Sequence, residues 1–438
     1  MSFQQGLSGL NASSKNLEVI GNNVANASTV GFKGSRAEFA DLYAGALNRV
    51  GNGQIGIGVN LQAVAQQFTQ GNITLTENPL DLAINGSGFF QLGVLSGAGT
   101  GTTPPTFGGE TYFSRNGQFK LDRFGQVVNN EGMALLGRPL NANGLPGATL
   151  GPVTLPTGGL AAAATTTLSL EMNLDARATL AADSTLPLDP ADPSTYNHST
   201  PITVYDGTGE PVEMTLYFRR IAGGAADATT TPPTPATDRW QVFAATAGTT
   251  SVATPAGTLA FDASSGSPWP AGAASFNLGA LTGTSAAGDP ISLSPITLGV
   301  QATGYAASSA TTQQTQNGHT YAGLSSVSVE DDGTVRARFS NGQYQDVYRL
   351  ELATFRNPQG LEPQGNNRWA QTLASGDRIV NAPGLGNLGN LQSGALEDSN
   401  VDLTGELVNM ITAQRVYQAN AQTIKTQDSV LQTLVNLR

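Results

Sequence analysis

One glycine pattern in the sequence could bind a phosphate group. Gly51-Asn52-Gly53-Gln54-Ile55-Gly56 fits the dinucleotide fingerprint G-x-G-x-x-G, whose glycines let backbone N–H groups approach a pyrophosphate at the start of a helix. The residues that follow alternate instead, with Ile57, Val59 and Leu61 at two-residue steps, which is typical of a strand. The context therefore favours a glycine-rich hinge or hairpin over a nucleotide site.

Two further sets of residues could hold a metal or carry acid–base chemistry. The stretch Glu330-Asp331-Asp332-Gly333 lacks the regular spacing and the closing glutamate of a calcium loop, so a hairpin turn is the better interpretation. His198 and His319 have no histidine or cysteine neighbours, and no nucleophile elbow or metal motif occurs. The 32 acidic residues leave a glycosidase-type carboxylate pair open as an alternative. We predict no cofactor and no metal.

The charge balance narrows the class of partner. The 438-residue chain has a formal net charge of -11, whereas a nucleic-acid partner would require clustered lysine and arginine. The basic doublet Arg219-Arg220 is best interpreted as a solvated strand end. There are no cysteines, so disulfides and thiolate metal sites are excluded. The N-terminus lacks the basic and apolar regions of a secretory signal, and no run of 18 apolar residues occurs, so we predict neither a cleavable signal peptide nor a membrane span.

Helical repeats mark both ends of the chain. Apolar residues recur every seven residues over 3–24 and again over 403–435, which places a stripe on one side of each helix and calls for a partner helix. Ser14, Gly21 and Asp428 interrupt the stripes, so each helix would be marginal in isolation. Covering the core of its own domain is the simpler use of such a helix, but the weak seams favour additional partners. The predicted stripe residues are Phe3, Leu7, Leu10, Leu17, Val24, Leu403, Leu407, Met410, Tyr417, Ile424 and Leu431.

The rest of the chain has the pattern of short strands joined by tight turns. Asn116-Gly117 lies between two strand-like segments and predicts a two-residue hairpin. Asp122-Arg123-Phe124-Gly125, Asp332-Gly333 and Asn341-Gly342 predict further turns. Apolar and polar residues alternate over 212–219, which indicates an antiparallel sheet with one face buried.

Changes in composition suggest where domains meet. Proline and glycine accumulate around residue 145 and are followed by alanine and threonine runs, and the earlier β pattern returns after about residue 317. We therefore predict an outer β-rich domain at 146–317, flanked by two parts of similar character.

Both ends of the chain also resemble a known family. Ile20-Gly21-Asn22-Asn23-Val24-Ala25-Asn26, followed by Thr29-Val30-Gly31-Phe32-Lys33, is similar to the N-terminal signature of bacterial flagellar rod and hook proteins. Ser399-Asn400-Val401-Asp402-Leu403 resembles the matching C-terminal signature. Asp331-Asp332-Gly333-Thr334-Val335 and Asn357-Pro358-Gln359-Gly360-Leu361 resemble the hook-type members. The signature residues carried over to this chain are Asn22, Asn23, Asn26, Gly31, Phe32, Lys33, Asn400 and Asp402.

The resemblance implies an α+β fold that is mainly β. In this family the N- and C-terminal helices pair as an α-helical coiled coil, and each β-rich domain is inserted into the one before it, so that middle and outer domains are nested and discontinuous. For this chain the resemblance implies four parts. They are a terminal coiled-coil domain (1–30 with 400–438), a connecting region (31–70 with 360–399), a middle β domain (71–145 with 318–359) and an outer β domain (146–317).

The same resemblance implies a structural protein and not an enzyme. The inserted outer domain favours a subunit of the flagellar hook, which polymerises into a curved helical tube and transmits torque from rod to filament as a universal joint. Its partners would be other copies of itself, the distal rod, hook cap and hook–filament junction proteins, and the flagellar type III export apparatus, with no nucleic acid and no membrane insertion. Its location would be the extracellular hook of the bacterial flagellum, reached without a cleavable signal peptide.

Two alternatives to a hook subunit stay open at this point. Within the family, a distal rod or hook–filament junction protein would have similar ends, although rod subunits are usually shorter and lack the inserted domain. Outside the family, an extracellular β-rich binding protein or a glycosidase would have a comparable composition. Electron microscopy of the purified protein would distinguish these possibilities, because only the hook subunit is expected to form curved tubes.

Overall fold

The structure is a computed structural model, and it divides into two compact units. It describes residues 2–42, 56, 58–97, 99, 104–141, 143–180, 186–226, 235–284 and 290–436, so most of the glycine pattern at 51–56 lies outside the described residues. The first unit comprises Met1–Thr157, Leu324–Arg338 and Gln343–Arg438, and the second comprises Gly158–Gly323 and Phe339–Gly342. The second unit is thus inserted into the sequence of the first, close to the segment 146–317 predicted as an outer domain.

The two helices of the described chain lie near its two ends. α1 spans Ser2–Ala25 and α2 spans Leu403–Asn436, as the seven-residue repeats predict. α1 ends where the N–H of Asn26 bonds the carbonyl of Asn22 at 3.1 Å. α2 begins after Asp402, whose carboxylate accepts a 3.0 Å hydrogen bond from the N–H of Thr404 and so caps the helix.

Strands make up most of the remaining structure. Before the second unit these are β1 (Ser35–Leu42), β2 (Gly58–Gln66), β3 (Ile73–Leu75), β4 (Leu82–Asn85), β5 (Phe90–Ser96), β6 (Thr106–Ser114), β7 (Lys120–Leu121), β8 (Val127–Val128), β9 (Ala134–Pro139) and β10 (Gly151–Pro152). The second unit contains β11 (Thr167–Asn173), β12 (His198–Tyr205), β13 (Pro211–Gly224), β14 (Thr237–Thr246), β15 (Gly257–Asp262), β16 (Ala274–Asn277), β17 (Leu281–Thr284), β18 (Pro290–Leu293), β19 (Thr297–Thr303) and β20 (Ala310–Gln316). The chain then continues with β21 (Leu324–Val329), β22 (Thr334–Phe339), β23 (Tyr344–Leu350), β24 (Leu352–Thr354), β25 (Glu362–Pro363), β26 (Arg368–Ala370), β27 (Ile379–Asn381), β28 (Asn390–Ser393) and β29 (Ala395–Glu397).

The main sheet of the first unit combines strands from both sides of the insertion. Its order is β21-β22-β23-β9-β5-β6-β26-β25; in addition, β8 and β10 pair with β9, and β7 pairs with β8. Successive side chains point to opposite faces of a strand, so Phe89 and Phe90 enter two separate cores. Phe90 packs edge-on against Phe119, with ring centroids 5.5 Å apart, whereas Phe89 lies 5.6 Å from Trp369. The late strands β28 and β29 pair with the early strands β4 and β3.

The second unit is built from two four-stranded sheets that share one core. The sheet orders are β16-β19-β11-β20 and β12-β13-β14-β15, and a two-stranded β17–β18 pair accompanies them. The alternating residues Val212, Met214, Leu216 and Phe218 are all buried in this core, as predicted. The opposite face of β13 is not simply solvated, because Tyr217 belongs to a smaller apolar cluster on that side.

Two expectations about local structure are wrong. Asn116-Gly117 turns the chain but joins no hairpin, because β6 pairs with β5 and β26 while the Gly117 carbonyl accepts the N–H of Leu82. The doublet Arg219-Arg220 is not a solvated strand end. Arg219 is buried, donates two hydrogen bonds to the Gln241 amide oxygen and stacks over a phenylalanine ring.

The turns that rest on aspartate side chains are confirmed. The Asp122 carboxylate accepts the N–H groups of Phe124 and Gln126, and the turn leads from β7 into β8. Asp332 accepts the N–H of Thr334 in the turn between β21 and β22, so the acidic stretch at 330–333 forms a hairpin turn. The predicted α+β, mainly β fold with paired terminal helices is confirmed.

Candidate assembly interface

α1 and α2 pack side by side in opposite directions. Gly6 in the first turns of α1 lies beside Ile424, whereas Asn23 near its end lies 3.4 Å from the Glu406 carboxylate at the start of α2. Between these points the Asn420 amide approaches the Ser13 hydroxyl at 3.4 Å. The helices contain 24 and 34 residues, or about 36 and 51 Å at 1.5 Å per residue, so the end of α2 extends beyond α1.

Small residues allow the two helices to come close together. A Cβ atom on Gly9 would lie 2.9 Å from the side-chain nitrogen of Asn420, and one on Gly6 would lie 3.2 Å from Cγ1 of Ile424. A larger residue at Gly9 would therefore have to displace the Asn420 side chain, which approaches the Ser13 hydroxyl at 3.4 Å. The seam between α1 and α2 is therefore narrow and contains polar groups.

The side of α1 away from α2 also carries contacts. The Gln5 amide donates a 2.6 Å hydrogen bond to the carbonyl of Gly56, and the Ser8 hydroxyl accepts the N–H of Val59 at 3.3 Å. These bonds attach α1 to the antiparallel β1–β2 ribbon. α1 is thus held on two sides, by α2 and by the ribbon.

The predicted stripe residues do not form the centre of the seam between the helices. Phe3 is 46% exposed, Leu7 45%, Leu407 44% and Leu431 54%, and Leu403 and Tyr417 are exposed as well. Leu10, Leu17, Val24, Met410 and Ile424 are half-buried. The positions on the two helices that are buried are Gly6, Ser13, Ile20, Asn23 and Ala413. The large apolar side chains of the predicted stripes therefore remain partly open to solvent in the single chain.

A groove of about 570 Å³ lies where the helices meet the strands beneath them. Val19, Ile20, Ala413 and Val416 form apolar parts of its wall. Glu406 also faces this groove, and its Oε2 atom is buried without a hydrogen-bond partner among the described residues.

The signature residues connect the two chain ends through their backbone. Asn23 exchanges two 2.8 Å hydrogen bonds with the backbone of Ser35, which fixes the start of β1 against α1. Asn400 accepts the N–H of Gly34 at 2.8 Å and donates to the carbonyl of Gln67 at 2.6 Å. Asn22, Asn26 and Phe32 form the turn after α1, and Asp402 is the cap of α2.

Gly31 has a conformation that only glycine adopts easily. Its φ is +68°, and a Cβ there would lie 2.6 Å from the backbone nitrogen of Asn116. Its N–H donates a 2.7 Å hydrogen bond to the carbonyl of Glu397. The close approach of these three segments thus explains the glycine in the N-terminal signature.

Lys33 is the most unusual of the signature residues, because its charged side chain is fully buried. Its ammonium group lies 2.6 Å from Glu397, and the other oxygen of Glu397 lies 3.1 Å from the Arg115 guanidinium. Burial lowers the pKa of Lys33, although the Glu397 carboxylate acts in the opposite direction, and burial lowers the pKa of Arg115 as well. The cluster joins the segment after α1, the end of β6 and the segment before α2.

Sequence reasoning missed Glu397 and the seam residues Gly6, Gly9 and Ser13. Glu397 has no local signal, since its partner Lys33 lies 364 positions away. The small residues at 6, 9 and 13 follow helical spacing, and this spacing could have indicated a close helix contact.

The described residues do not suggest another kind of site. No group of three or more histidine, cysteine or acidic side chains in them is placed to hold a metal ion. Neither helix of the described chain has an apolar stretch that would reach across a lipid bilayer.

Four sequence profiles of flagellar families match the chain. They are the flagella basal body rod protein (residues 3–33), the flagellar hook protein FlgE/F/G D1 domain (83–173), the flagellar basal body protein FlaE D2 domain (173–319) and the flagellar basal body rod FlgEFG protein C-terminal region (392–437). The first and last profiles cover all but the first residue of α1, the whole of α2 and the signature residues that connect them. The paired terminal helices and the inserted β units thus define a protein of the flagellar rod and hook class.

Full-length relatives narrow this class. The flagellar hook protein FlgE of Salmonella typhimurium (strain LT2) is 41% identical over 450 residues, and that of Escherichia coli (strain K12) is 40% identical over 444 residues, with 100% of both chains covered in each case. The flagellar hook protein FlgE of Brucella suis biovar 1 is 31% identical over 447 residues, with 100% of this chain and 98% of the relative covered. The chain therefore belongs to the flagellar hook protein FlgE family, a structural family of the bacterial flagellum.

A solved structure supports the fold independently. The crystal structure of Helicobacter pylori flagellar hook protein FlgE2 aligns with a TM-score of 0.50 at 14% identity, covering 73% of this chain and 99% of that one. The prediction of a hook subunit is confirmed by the full-length relatives, which are flagellar hook proteins.

Proposed function

We propose that this hook subunit polymerises with copies of itself into a curved helical tube, which transmits torque from the rod to the filament as a universal joint. The role is structural and not catalytic. The observation that supports it is the exposure of Phe3, Leu7, Leu407 and Leu431 on two helices that already have each other as partners.

Apolar exposure on paired helices favours association with identical neighbours. Fully burying one leucine is worth roughly 1.5–3 kcal/mol, and a polymer gains this contribution at every subunit. When the two contacting surfaces of a subunit differ and the rotation between neighbours does not close, identical subunits form an open helix. The stripe residues of α1 and α2 are therefore the surfaces that we assign to contacts between subunits, within an inner coiled coil that lines the channel of the tube.

The β-rich parts have a different role in this proposal. We keep the predicted nested arrangement, in which the outer domain (146–317) is inserted into the middle domain (71–145 with 318–359), and the middle domain is inserted into the connecting region. Charged residues are only 12% of the chain, so contacts between such surfaces would break and reform at little electrostatic cost as the tube bends.

The proposal also includes the partners and the route of the protein. The tube would contact the distal rod, the hook cap and the hook–filament junction proteins, and the subunit would reach the extracellular hook through the flagellar type III export apparatus. In this proposal the export information lies in residues 2–30. Removing residues 2–30 should leave soluble protein inside the cell, and normal secretion of the shortened chain would contradict this part.

Electron microscopy tests the central claim. Purified protein at increasing concentration should form curved tubes, while particles that stay monodisperse under all conditions would contradict polymerisation. Straight tubes would leave polymerisation in place but would contradict the curvature that the universal joint requires.

A further inference from the structure

Three segments that are far apart in the sequence meet at one buried charge cluster. Lys33 follows α1, Arg115 follows β6, and Glu397 is the last residue of β29, shortly before α2. Their side chains are 0%, 5% and 1% exposed. Two cations and one carboxylate are thus removed from water together at the base of the two helices.

Nearly all hydrogen-bonding groups of the cluster are satisfied, and Glu397 is the common partner. Its Oε1 accepts from Lys33 at 2.6 Å and from the N–H of Gly71 at 2.8 Å, and its Oε2 accepts from Arg115 at 3.1 Å. Lys33 also donates to the carbonyl of Thr69 at 2.8 Å, and Arg115 donates to the carbonyl of Gly86 at 2.7 Å. Arg115 Nε has no hydrogen-bond partner among the described residues.

The cluster cannot be stable without the carboxylate. Removing one partner of a buried ion pair leaves an uncompensated charge and is strongly destabilising. Loss of Glu397 would leave two such charges without a counter-charge. Lys33 would keep the Thr69 carbonyl, and Arg115 would keep backbone carbonyls and the Phe89 ring, whose centroid lies 5.5 Å away. Loss of Lys33 would leave a balanced pair, Glu397 with Arg115.

The segment that carries Glu397 also completes the surrounding structure. β29 pairs with β3, and β28 pairs with β4. Asn400 then bonds the backbone of Gly34 and Gln67, directly before α2 begins. Packing of residues 390–402 therefore brings the one carboxylate to the two cations and, in the same event, fixes the end of α1 and the start of α2.

We propose that the Lys33–Glu397–Arg115 cluster is a closure lock. The α1–α2 surface is formed correctly only when the segments from both chain ends are packed together at this cluster. When the lock is open, the segments 31–34, 69–75, 82–86 and 390–402 lose their structure together, while the second unit stays folded. The consequence for polymerisation rests on the proposed function, whereas the lock itself is a property of the single chain.

Three full-length variants test the lock by amide hydrogen exchange on the monomer. Glu397→Gln keeps the shape but removes the charge, and it should raise exchange across those four segments by roughly 100-fold or more. Lys33→Met should have a much smaller effect. Lys33→Met removes one of the two cations that Glu397→Gln leaves without a counter-charge. The exchange rates of the double variant Lys33→Met/Glu397→Gln should therefore be closer to wild type than those of Glu397→Gln alone. Exchange in the second unit should be unchanged in all three.

The outcomes separate the lock from the proposed function. Unchanged exchange in Glu397→Gln, or purely additive effects in the double variant, would overturn the lock. If Glu397→Gln failed to fold its first unit, recovery in the double variant would still support the lock, and no recovery would count against it. In a polymerisation assay Glu397→Gln should require more protein than the double variant. Failure of the wild type to polymerise would refute the proposed function and leave the exchange result standing.

Discussion

Leu407 offers the sharpest test of the assembly surface, because it is exposed in the single chain. It lies in the second turn of α2 and is 44% exposed, whereas Ile424 touches Gly6 and so also supports the helix pair. Changing Leu407 to aspartate should therefore affect contacts between subunits and leave the fold of the monomer intact.

The magnitude follows from the area that remains to be buried. Full burial of a leucine is worth roughly 1.5–3 kcal/mol, so the 44% still exposed corresponds to about 0.7–1.3 kcal/mol for assembly. At about 1.4 kcal/mol per tenfold, losing this contact alone would raise the critical concentration about 3–9-fold. Placing a carboxylate in an apolar contact costs several kcal/mol more, so Leu407→Asp should raise it by roughly 100-fold or more.

Sedimentation at a series of protein concentrations, followed by electron microscopy of the pellet, would measure this change. Leu407→Met conserves volume and should polymerise almost normally. Thr426→Asp adds the same charge to an exposed position of the same helix, where the hydroxyl bonds only the Gln422 carbonyl, and should do much less harm. The monomer of each variant should melt like wild type. Normal polymerisation of Leu407→Asp would refute the assignment of this stripe to subunit contacts.

Three further predictions concern the helix seam and the second unit. Gly9→Val should weaken the packing of α1 on α2, because its Cβ would lie 2.9 Å from the Asn420 amide and would displace that side chain from the seam. The cost should be about 1–3 kcal/mol, seen as faster amide exchange in α1, whereas Gly21→Ala, with nothing within 4 Å, should not increase exchange. Phe218→Ala should destabilise the second unit by about 3–5 kcal/mol in thermal unfolding and leave the first unit unchanged. An equal loss of stability in both units would contradict the division of the chain into two units. Burial lowers the pKa of His198 below its ordinary value of 6.5, so the neutral ring is favoured in the folded state. The stability of the second unit should therefore fall as the pH drops from 6.5 through the pKa of the folded state, and His198→Gln should remove this dependence.

The helices and the turns could be predicted because their signals are local. A seven-residue repeat is contained within one helix, and the aspartate side chains at 122 and 332 accept hydrogen bonds from N–H groups two residues ahead of them. The failure at Asn116-Gly117 has the opposite cause. The dipeptide has the composition of a hairpin turn, but its carbonyl pairs with Leu82 from a distant segment, and no local pattern contains that partner.

The assembly surface could be predicted only in part for a similar reason. The repeat identified which residues on α1 and α2 are apolar, but not which side of each helix faces the other. Gly6 and Gly9 contribute through the absence of a side chain, and a hydrophobicity pattern does not detect this. The charge cluster depends on Glu397 meeting residues more than 280 positions earlier, which the sequence does not reveal.

In this helix pair small residues form the contact within the chain and large apolar residues stay exposed, which explains why such a pair would be suited to a polymer. If leucines filled the seam between α1 and α2, the single chain would bury its own apolar area and would gain little from neighbours. Here Gly6 and Gly9 leave room between the helices for the Ile424 and Asn420 side chains, while Leu7 and Leu407 remain near half exposure. Burial of those side chains is a gain that the monomer cannot reach alone, because its partner helix already occupies the narrow seam. The charge cluster at the base complements this arrangement, since it sets the ends of both helices before the exposed stripes meet a second subunit.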